Sequence, residues 1–221
     1  AGVSYAGFVF FPKSKRNVTY EQAEKIFSGL DPSIKKVTVF VSPTLAEIQS
    51  AEEIGADILQ IHGTLAQEII KKSRHPIWRA VNIKSGTEFL EKEELFYDNI
   101  TGIVVDGAQY GGGKTFDWTM LENLPRDDKL FMLAGGLNPE TVAKAVKAVK
   151  PDGVDVSSGV ENSNGSGKDF EKVKGKNRFI YRVLPSAESI KVCDDNHIEM
   201  KNIIAQMGPF TLEENVALIN R

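Results

Sequence analysis

Short apolar runs alternate with helix-like segments along most of this chain. Seven runs are nearly continuous in apolar residues, as strands buried on both faces are. They occupy residues 5–11, 36–41, 58–62, 76–81, 100–106, 131–134 and 153–156. Alternation of such strands with helices predicts an α/β fold with a parallel sheet. A closed barrel of this type has eight strands, which predicts a further strand after Glu161.

The segments between these runs have helical periodicity. Helices are predicted at residues 19–30, 44–54, 65–72, 86–95 and 118–124. Another is predicted after Asn138, which is a suitable N-cap, with Pro139 at the first helical position. Its apolar residues recur at helical spacing up to Val149, and Pro151 ends it.

Three apolar runs after Glu161 compete for the eighth strand. They are residues 179–184 (FIYRVL), 190–193 (IKVC) and 202–208 (NIIAQMG). Only one of them can complete a barrel of eight strands, and the residues alone leave the choice open.

The composition indicates one globular domain without nucleic-acid or membrane partners. A chain of 221 residues fits one barrel-sized domain, here residues 1–221. The net charge of −3 offers no general attraction to nucleic acids or membranes, and no apolar run approaches the ~20 residues of a membrane span. One cysteine makes no internal disulfide, and the first residues lack a basic leader. We therefore expect a cytoplasmic protein.

Two turns rich in glycine and serine follow successive strands. Gly135 and Gly136 end the sixth strand, and Ser157, Ser158 and Gly159 end the seventh. In a parallel barrel both turns lie at the same face, where backbone N–H groups and a helix N-terminus can converge on a phosphate. The alternative is that these glycines only permit tight turns.

Several motifs together resemble one enzyme family. GFVFFPKSKR, LQIHG, VVDG followed by GGGKTFDW, LAGGLNPETV and GVDVSSGVE closely resemble phosphoribosylanthranilate isomerase of tryptophan biosynthesis, in its order and spacing, over residues 1–174. The resemblance implies a (β/α)8 TIM barrel. It also implies an Amadori rearrangement of N-(5-phosphoribosyl)anthranilate to 1-(2-carboxyphenylamino)-1-deoxyribulose 5-phosphate. Such an enzyme takes a small phosphorylated substrate, needs no metal or organic cofactor, and is a monomer or a homodimer.

The chain departs from this family at its ends. The family begins with a strand carrying a Lys-Ile-Cys-Gly-like motif and a helix, whereas this chain begins just before GFVFF. Residues 211–221 (TLEENVALINR) look like that missing helix. We therefore predict a circular permutation with the family's first strand and helix at the C-terminus, which surface termini in a closed barrel tolerate. The alternative is a seven-unit fragment with an unrelated tail.

Two residues are predicted to transfer protons. Asp106 ends an apolar strand at the face where catalytic groups gather, and as the general acid it needs a raised pKa. Its alternative role is to bind backbone N–H groups of the following turn. Cys193 is the candidate base, because IKVC resembles the family's catalytic strand, although Asp194 stands where glycine is expected. Its thiol needs a nearby cation, Lys191 or Arg16, and the alternative is an inert buried cysteine.

The resemblance assigns the remaining contacts to the substrate. Arg16 would bind the anthranilate carboxylate bidentately, although a solvated basic turn is the commoner use of such a loop. His62 would face the same rim, or else be satisfied by backbone. Gly111 in the GGGK turn would let the chain pass close to the substrate. Two other functions compete: a phosphate-binding barrel without isomerase activity, and an isomerase for the related histidine-pathway substrate.

Overall fold

A computed structural model describes most of the predicted elements. The described residues are 4–83, 95, 97–107, 117–121, 128–163, 168–169, 172 and 203–207, the last five by their backbone alone. The predicted helix at 86–95, apart from Leu95, the candidate strands at 179–184 and 190–193, and the helix-like residues 211–221 lie outside the described residues.

Eight parallel strands pair in chain order, and the last closes the sheet against the first. They are β1 (Tyr5–Phe10), β2 (Lys35–Val41), β3 (Ile58–His62), β4 (Ile77–Ile83), β5 (Ile100–Gly107), β6 (Leu130–Leu133), β7 (Gly153–Val156) and β8 (Ile203–Met207). The predicted α/β fold with a parallel sheet is confirmed. The expected eighth strand lies within residues 202–208, and it pairs with β7 on one side and β1 on the other.

Four α-helices are described: α1 (Tyr20–Gly29), α2 (Leu45–Glu53), α3 (Gln67–Lys72) and α4 (Val142–Val149). The first two begin with a capping box in which a threonine, Thr19 or Thr44, exchanges hydrogen bonds with the residue three positions later. Such caps stabilise a helix by about 1 kcal/mol each. These caps explain why α1 and α2 start within a residue of their predicted positions.

The helix after β6 begins later than predicted. Its N-cap is Thr141 rather than Asn138. The Asn138 side-chain oxygen instead accepts hydrogen bonds from the backbone N–H groups of Glu140 and Thr141, at 3.0 and 2.9 Å. Asparagine side chains often hold such local turns in place of helix. The predicted helix at 118–124 is, where described, a 3-10 helix at Trp118–Leu121.

Alternate strand residues enter two separate apolar cores. One core combines strand residues with residues of all four helices, so it lies between the sheet and the helices. In the other core, every buried residue comes from a strand or from the residue directly after one, and it includes Ile58 of β3, Trp78 of β4 and Val104 of β5. This second core therefore fills the inside of the ring. Because strand side chains alternate between faces, His62 and Asp106 lie on the same inner face, at the carboxyl ends of their strands.

No helix among the described residues is both long and apolar enough to cross a membrane.

Candidate functional site

Asp106 holds its carboxyl group in a largely buried position near the end of β5. Burial raises the pKa of Asp106 to about 6, although a hydrogen bond from the Gly107 N–H opposes that shift. The alternative role considered from the sequence, binding the N–H of the following turn, is therefore present as well. Burial outweighs it, and the carboxyl group is still partly protonated near pH 6.

Gly135 fixes the surroundings of this carboxyl group. Its φ angle is +88°, and a Cβ at this position would lie 2.8 Å from Asp106 Oδ1 and 2.6 Å from the Gly107 nitrogen. Real Cβ atoms do not approach other atoms so closely, so glycine is required both by the backbone conformation and by the contact. The turn after β6 thus lies directly against the end of β5.

His62 occupies the inner face at the end of β3. Its Nε2 lies 3.1 Å from the Gln60 side-chain nitrogen, so with this amide orientation Gln60 donates and Nε2 accepts. Burial, together with the positive charge of Arg79, lowers the pKa of His62 to about 4. The imidazole is therefore neutral at neutral pH, and the amide orientation given above places its proton on Nδ1.

Arg79 is buried on the neighbouring strand β4, where the alternation of side chains places it on the outer face of the sheet. Its guanidinium donates to the carbonyl oxygens of Ile61 at 2.6 Å, Ala80 at 3.1 Å, and Gly63. These carbonyls belong to the end of β3 and to β4 itself, so the cation ties the two strands together while opposing a second positive charge on the imidazole.

The two predicted phosphate turns contact one another. Gly136 also has a positive φ, +67°. A Cβ on Gly159 would overlap the Leu137 carbonyl oxygen and lie 2.8 Å from Asn138 Cβ. The turn after β7 therefore packs on the residues that follow Gly135 and Gly136, and these predicted residues form one cluster.

Ser157 and Ser158 line the β7 side of that cluster. Ser158 begins a 3-10 helix, Ser158–Val160. The Ser157 hydroxyl is buried, and no hydrogen-bond partner for it occurs among the residues the structure describes. A buried hydroxyl without a protein partner is the kind of group that a bound phosphate oxygen satisfies.

Arg16 is held by the carboxylate of Glu161, 145 positions further along the chain. Its Nε and Nη2 donate to Glu161 Oε1 at 2.9 and 2.6 Å. Lys15 Nζ lies 3.0 Å from the other oxygen of Glu161, and Lys168 Nζ lies 3.6 Å from Oε1. This ionic cluster of Lys15, Arg16, Glu161 and Lys168 joins the loop after β1 to the loop after β7.

Opposite charges decide the ionisation of the cluster. Burial alone would raise the pKa of Glu161, but hydrogen bonds from Arg16 and Lys15 and the charges of Arg16 and Lys168 bring it below its ordinary value. Burial lowers the pKa of Lys168 to about 8, and Arg16 adds to that shift while Glu161 and Asp155 oppose it. At neutral pH Glu161 is therefore ionised and Lys168 is mostly protonated.

Sequence reasoning missed Glu161 and Lys168. Glu161 ends the GVDVSSGVE motif, so the motif itself pointed to it, whereas Lys168 stands in a stretch without any pattern. Two predicted residues, Gly111 and the base Cys193, lie outside the described residues. Within the described ranges no group of three or more His, Cys, Asp or Glu side chains is placed to hold a metal ion.

Comparison with family models divides the chain into two parts. Residues 1–176 match the model for N-(5'-phosphoribosyl)anthranilate (PRA) isomerase. Residues 159–221 match a different model, precorrin-6x reductase CbiJ/CobK. The second match covers less than half of the chain, and it overlaps the first only around residues 159–176.

Individual relatives agree with the first match. N-(5'-phosphoribosyl)anthranilate isomerase of Streptococcus mutans is 41% identical over 83% of this chain and 89% of the relative. The enzyme of the same name from Clostridium acetobutylicum is 40% identical over 81% of this chain.

Solved structures give the same result. The phosphoribosyl anthranilate isomerase of Thermotoga maritima is 37% identical with a TM-score of 0.67, covering 77% of this chain and 84% of that one. A phosphoribosyl anthranilate isomerase in complex with reduced 1-(o-carboxyphenylamino)-1-deoxyribulose 5-phosphate is 34% identical with a TM-score of 0.65, at the same coverage.

Proposed function

This chain belongs to the N-(5'-phosphoribosyl)anthranilate isomerase family, and we propose that it converts N-(5-phosphoribosyl)anthranilate to 1-(2-carboxyphenylamino)-1-deoxyribulose 5-phosphate in tryptophan biosynthesis. The observation that carries this proposal is the buried carboxyl group of Asp106, whose pKa is raised to about 6 at the inner rim of the ring. A proton donor of that strength is what the first step of the rearrangement needs.

Asp106 is the proposed general acid. Its proton passes to the ring oxygen of the ribosyl group as the bond from that oxygen to the anomeric carbon breaks. The nitrogen lone pair then forms the iminium, and the former ring oxygen becomes a hydroxyl group. Positioned proton transfer of this kind typically contributes ~10²–10⁴-fold to the rate.

Cys193 is the proposed base, on the strength of its motif. As thiolate it would remove the proton from C2′, so that the electrons of that bond form the enolamine, which then tautomerises to the ketone. The match of residues 159–221 to another family weakens the case for IKVC as the catalytic strand. Replacing Cys193 by serine tests the role: a role as base requires a large fall in kcat, and unchanged kcat would reject it.

The proposed contacts with the substrate come from two neighbouring parts of the rim, which meet where Lys168 Nζ donates to the Ser157 carbonyl oxygen at 2.9 Å. Arg16 binds the anthranilate carboxylate. The turns that contain Gly135, Gly136, Ser157, Ser158 and Gly159 bind the phosphate. Support comes from the contact between the two turns and from the buried hydroxyl of Ser157. The neutral His62 donates from Nδ1 to the substrate, and Gly111 allows its own loop to approach.

The proposed architecture is a single (β/α)8 barrel over residues 1–221, with β8 in the place of the family's first strand. Two origins for the C-terminal segment were open from the sequence. Circular permutation is supported by the position of β8 between β7 and β1. An unrelated tail is supported by the match of residues 159–221 to the precorrin-6x reductase model, and we favour it because that match concerns the segment's own residues.

A rearranged chain in which residues 176–221 precede residue 1 distinguishes circular permutation from an unrelated tail. A permuted isomerase would then regain the family's order and keep its activity with little loss. An unrelated tail would contribute its strand only from its present position, so the rearranged chain would lose stability and activity. The predicted monomer or homodimer is tested by light scattering; one structural neighbour, from Thermotoga maritima, is a monomer form of a dimeric isomerase. The predicted cytoplasmic location is tested by cell fractionation.

A fluorescence assay of the anthranilate adduct tests the proposed activity. The rate at which the anthranilate adduct disappears should be proportional to the enzyme added, and Asp106→Asn should lower that rate by about 10²–10⁴-fold. Binding of reduced 1-(o-carboxyphenylamino)-1-deoxyribulose 5-phosphate without any turnover of substrate would instead indicate a phosphate-binding barrel. Steady-state rates with the related histidine-pathway substrate test the other alternative, since faster turnover of that substrate would reassign the specificity.

A further inference from the structure

Glu161 uses only one edge of the Arg16 guanidinium group. The two hydrogen bonds to Glu161 Oε1 come from Nε and Nη2, at 2.9 and 2.6 Å. This is the side edge of the planar group. The end edge, formed by Nη1 and the second hydrogen of Nη2, is not engaged by Glu161, and it has the geometry that a carboxylate accepts bidentately.

The loop after β7 holds Glu161 in place by its backbone. Its N–H donates to the Ser158 carbonyl at 3.1 Å, and its own carbonyl accepts from Lys172 Nζ at 2.6 Å. Glu161 also forms an antiparallel bridge with Lys168. The carboxylate is therefore presented from a position fixed on both sides of the residue.

The loop after β1 is closed by its own turn. Ser14 N–H donates to the Phe11 carbonyl at 2.8 Å, and the Arg16 N–H donates to the Ser14 hydroxyl at 3.1 Å. The side chains of Arg16 and Glu161 are 12% and 14% exposed, so their pair is shielded from water, while Lys15 is 64% exposed. A shielded pair between two fixed loops gives the long arginine side chain one orientation.

We propose that Glu161 is a positioning residue that turns the end edge of Arg16 towards the carboxylate on the substrate's aromatic ring. The role rests on the proposed function, and it adds a source of selectivity: substrates with that carboxylate are favoured because Glu161 has already oriented the arginine. Pre-organised donors bind more tightly, since less side-chain freedom is lost on binding.

Two probes measure this selectivity without turnover. One is reduced 1-(o-carboxyphenylamino)-1-deoxyribulose 5-phosphate, and the other is the same molecule without the ring carboxyl group. Wild type should prefer the first. Glu161→Gln should weaken the first probe by about tenfold and change the Kd of the second by less than about twofold. In turnover, KM should rise more than kcat falls.

Arg16→Ala completes the cycle. If Glu161 acts through Arg16, Glu161→Gln should cost no further affinity for the carboxylated probe once Arg16 is alanine, because the two residues act as one unit. Glu161→Asp is the second variant if Glu161→Gln does not fold. It keeps the charge on a shorter side chain, and it should lose part of the same selectivity.

Glu52→Gln is the matched control. Glu52 is also a buried carboxylate in an ion pair, with Arg74 at 3.2 Å, but it lies at the end of α2 near the amino ends of the strands. This variant should lower stability and leave the preference between the probes unchanged.

Each result separates the two proposals. Retained preference for the carboxylated probe in Glu161→Gln overturns the positioning role and leaves the isomerase proposal standing. Equal weakening of both probes shows a general structural effect and also overturns the role. A wild type that binds neither probe, and that turns over no substrate, overturns the proposed function together with this inference.

Discussion

The rim of the ring has a neutral side and an ionic side. The neutral side consists of Gln60, His62 and Asp106 on β3 and β5, and the ionic side is the cluster of Lys15, Arg16, Glu161 and Lys168 between the loops after β1 and β7. Burial favours the uncharged form of a group on either side. On the neutral side burial determines the direction of the pKa shift: the pKa of Asp106 rises to about 6, and that of His62 falls to about 4.

The two sides differ in charge state because their groups have different hydrogen-bonding and charged partners, and not because they are buried to different extents. Among the described residues Asp106 receives one hydrogen bond, from the Gly107 backbone N–H, and for His62 the positive charge of Arg79 adds to the effect of burial. Glu161 faces three cations, which more than offset its burial. We therefore expect proton transfer at the neutral side and binding of the substrate carboxylate at the ionic side, because each chemistry needs the charge state that its surroundings supply.

Loss of the proton donor should have the largest effect. Asp106→Asn keeps the size of the side chain and removes its acidic proton, so we expect kcat to fall by about 10²–10⁴-fold. Affinity for the reduced product analogue should change far less, since the ionic side is untouched. Stopped-flow fluorescence and titration measure the two quantities. Equal loss of binding and turnover would contradict the division of the rim.

A side chain placed in the space beside Asp106 should have the second-largest effect, on the stability of the fold. Gly135→Ala adds strain at φ +88° and places a Cβ 2.6 Å from the Gly107 nitrogen, so the free energy of unfolding should fall by about 4 kcal/mol. Gly55→Ala is the control. Its φ is +93° and, apart from its two chain neighbours, no atom of the described residues lies within 4 Å of the new Cβ, so the free energy of unfolding should fall by only about 1 kcal/mol. Urea denaturation of both variants measures the difference, and equal losses would contradict the close contact.

The neutral side should also give two opposite pH dependences of stability. The folded protein binds the Asp106 proton more tightly than the unfolded chain, so this group's contribution falls by about 3 kcal/mol as pH rises from about 4 to 6. The folded protein binds a proton on His62 more weakly, so its contribution rises by about 3 kcal/mol between pH 4 and 6.5.

These slopes largely cancel in the wild type, so variants are needed to see them. Asp106→Asn should be stabilised relative to wild type as pH rises from 4 to 6. His62→Gln should be destabilised relative to wild type between pH 4 and 6.5. Urea titrations across this range measure both. A difference from wild type that is constant with pH would mean that the group has its ordinary pKa.

The strands were predictable because local sequence decides them. Residues 58–62 and 153–156 were predicted to the residue, since short apolar runs between turn signals leave little alternative. The start of α4 was wrong by three residues from the predicted first position, because hydrogen bonds of Asn138 favour a turn there. The choice among three candidates for the eighth strand depended on pairing with both ends of the sheet.

The candidate site was predictable only residue by residue. Asp106, His62 and the glycine turns end strands, and strand ends of a parallel ring meet at one face. Arg16 was found by resemblance, but its pairing with Glu161 joins residues 145 positions apart, and no periodicity reports such a contact. The sequence indicated the raised pKa that Asp106 needs as an acid, but the pKa shifts of His62 and Glu161 depend on charged partners that only the structure brings together.

Removal of Lys15 should have the smallest effect on the ionic side. Its side chain is 64% exposed, so solvent screens its pairing with Glu161, and exposed pairs contribute about 0.2–1 kcal/mol. Lys15→Ala should therefore lower the free energy of unfolding by about 0.5 kcal/mol and raise KM less than twofold. Lys168→Met removes a cation whose side chain is 1% exposed, leaving Glu161 with one shielded partner fewer, and it should be more damaging in the same denaturation experiment. Equal losses of stability in the two variants would contradict this expectation. They would mean that the burial of a cation does not determine how strongly it stabilises the ionic side.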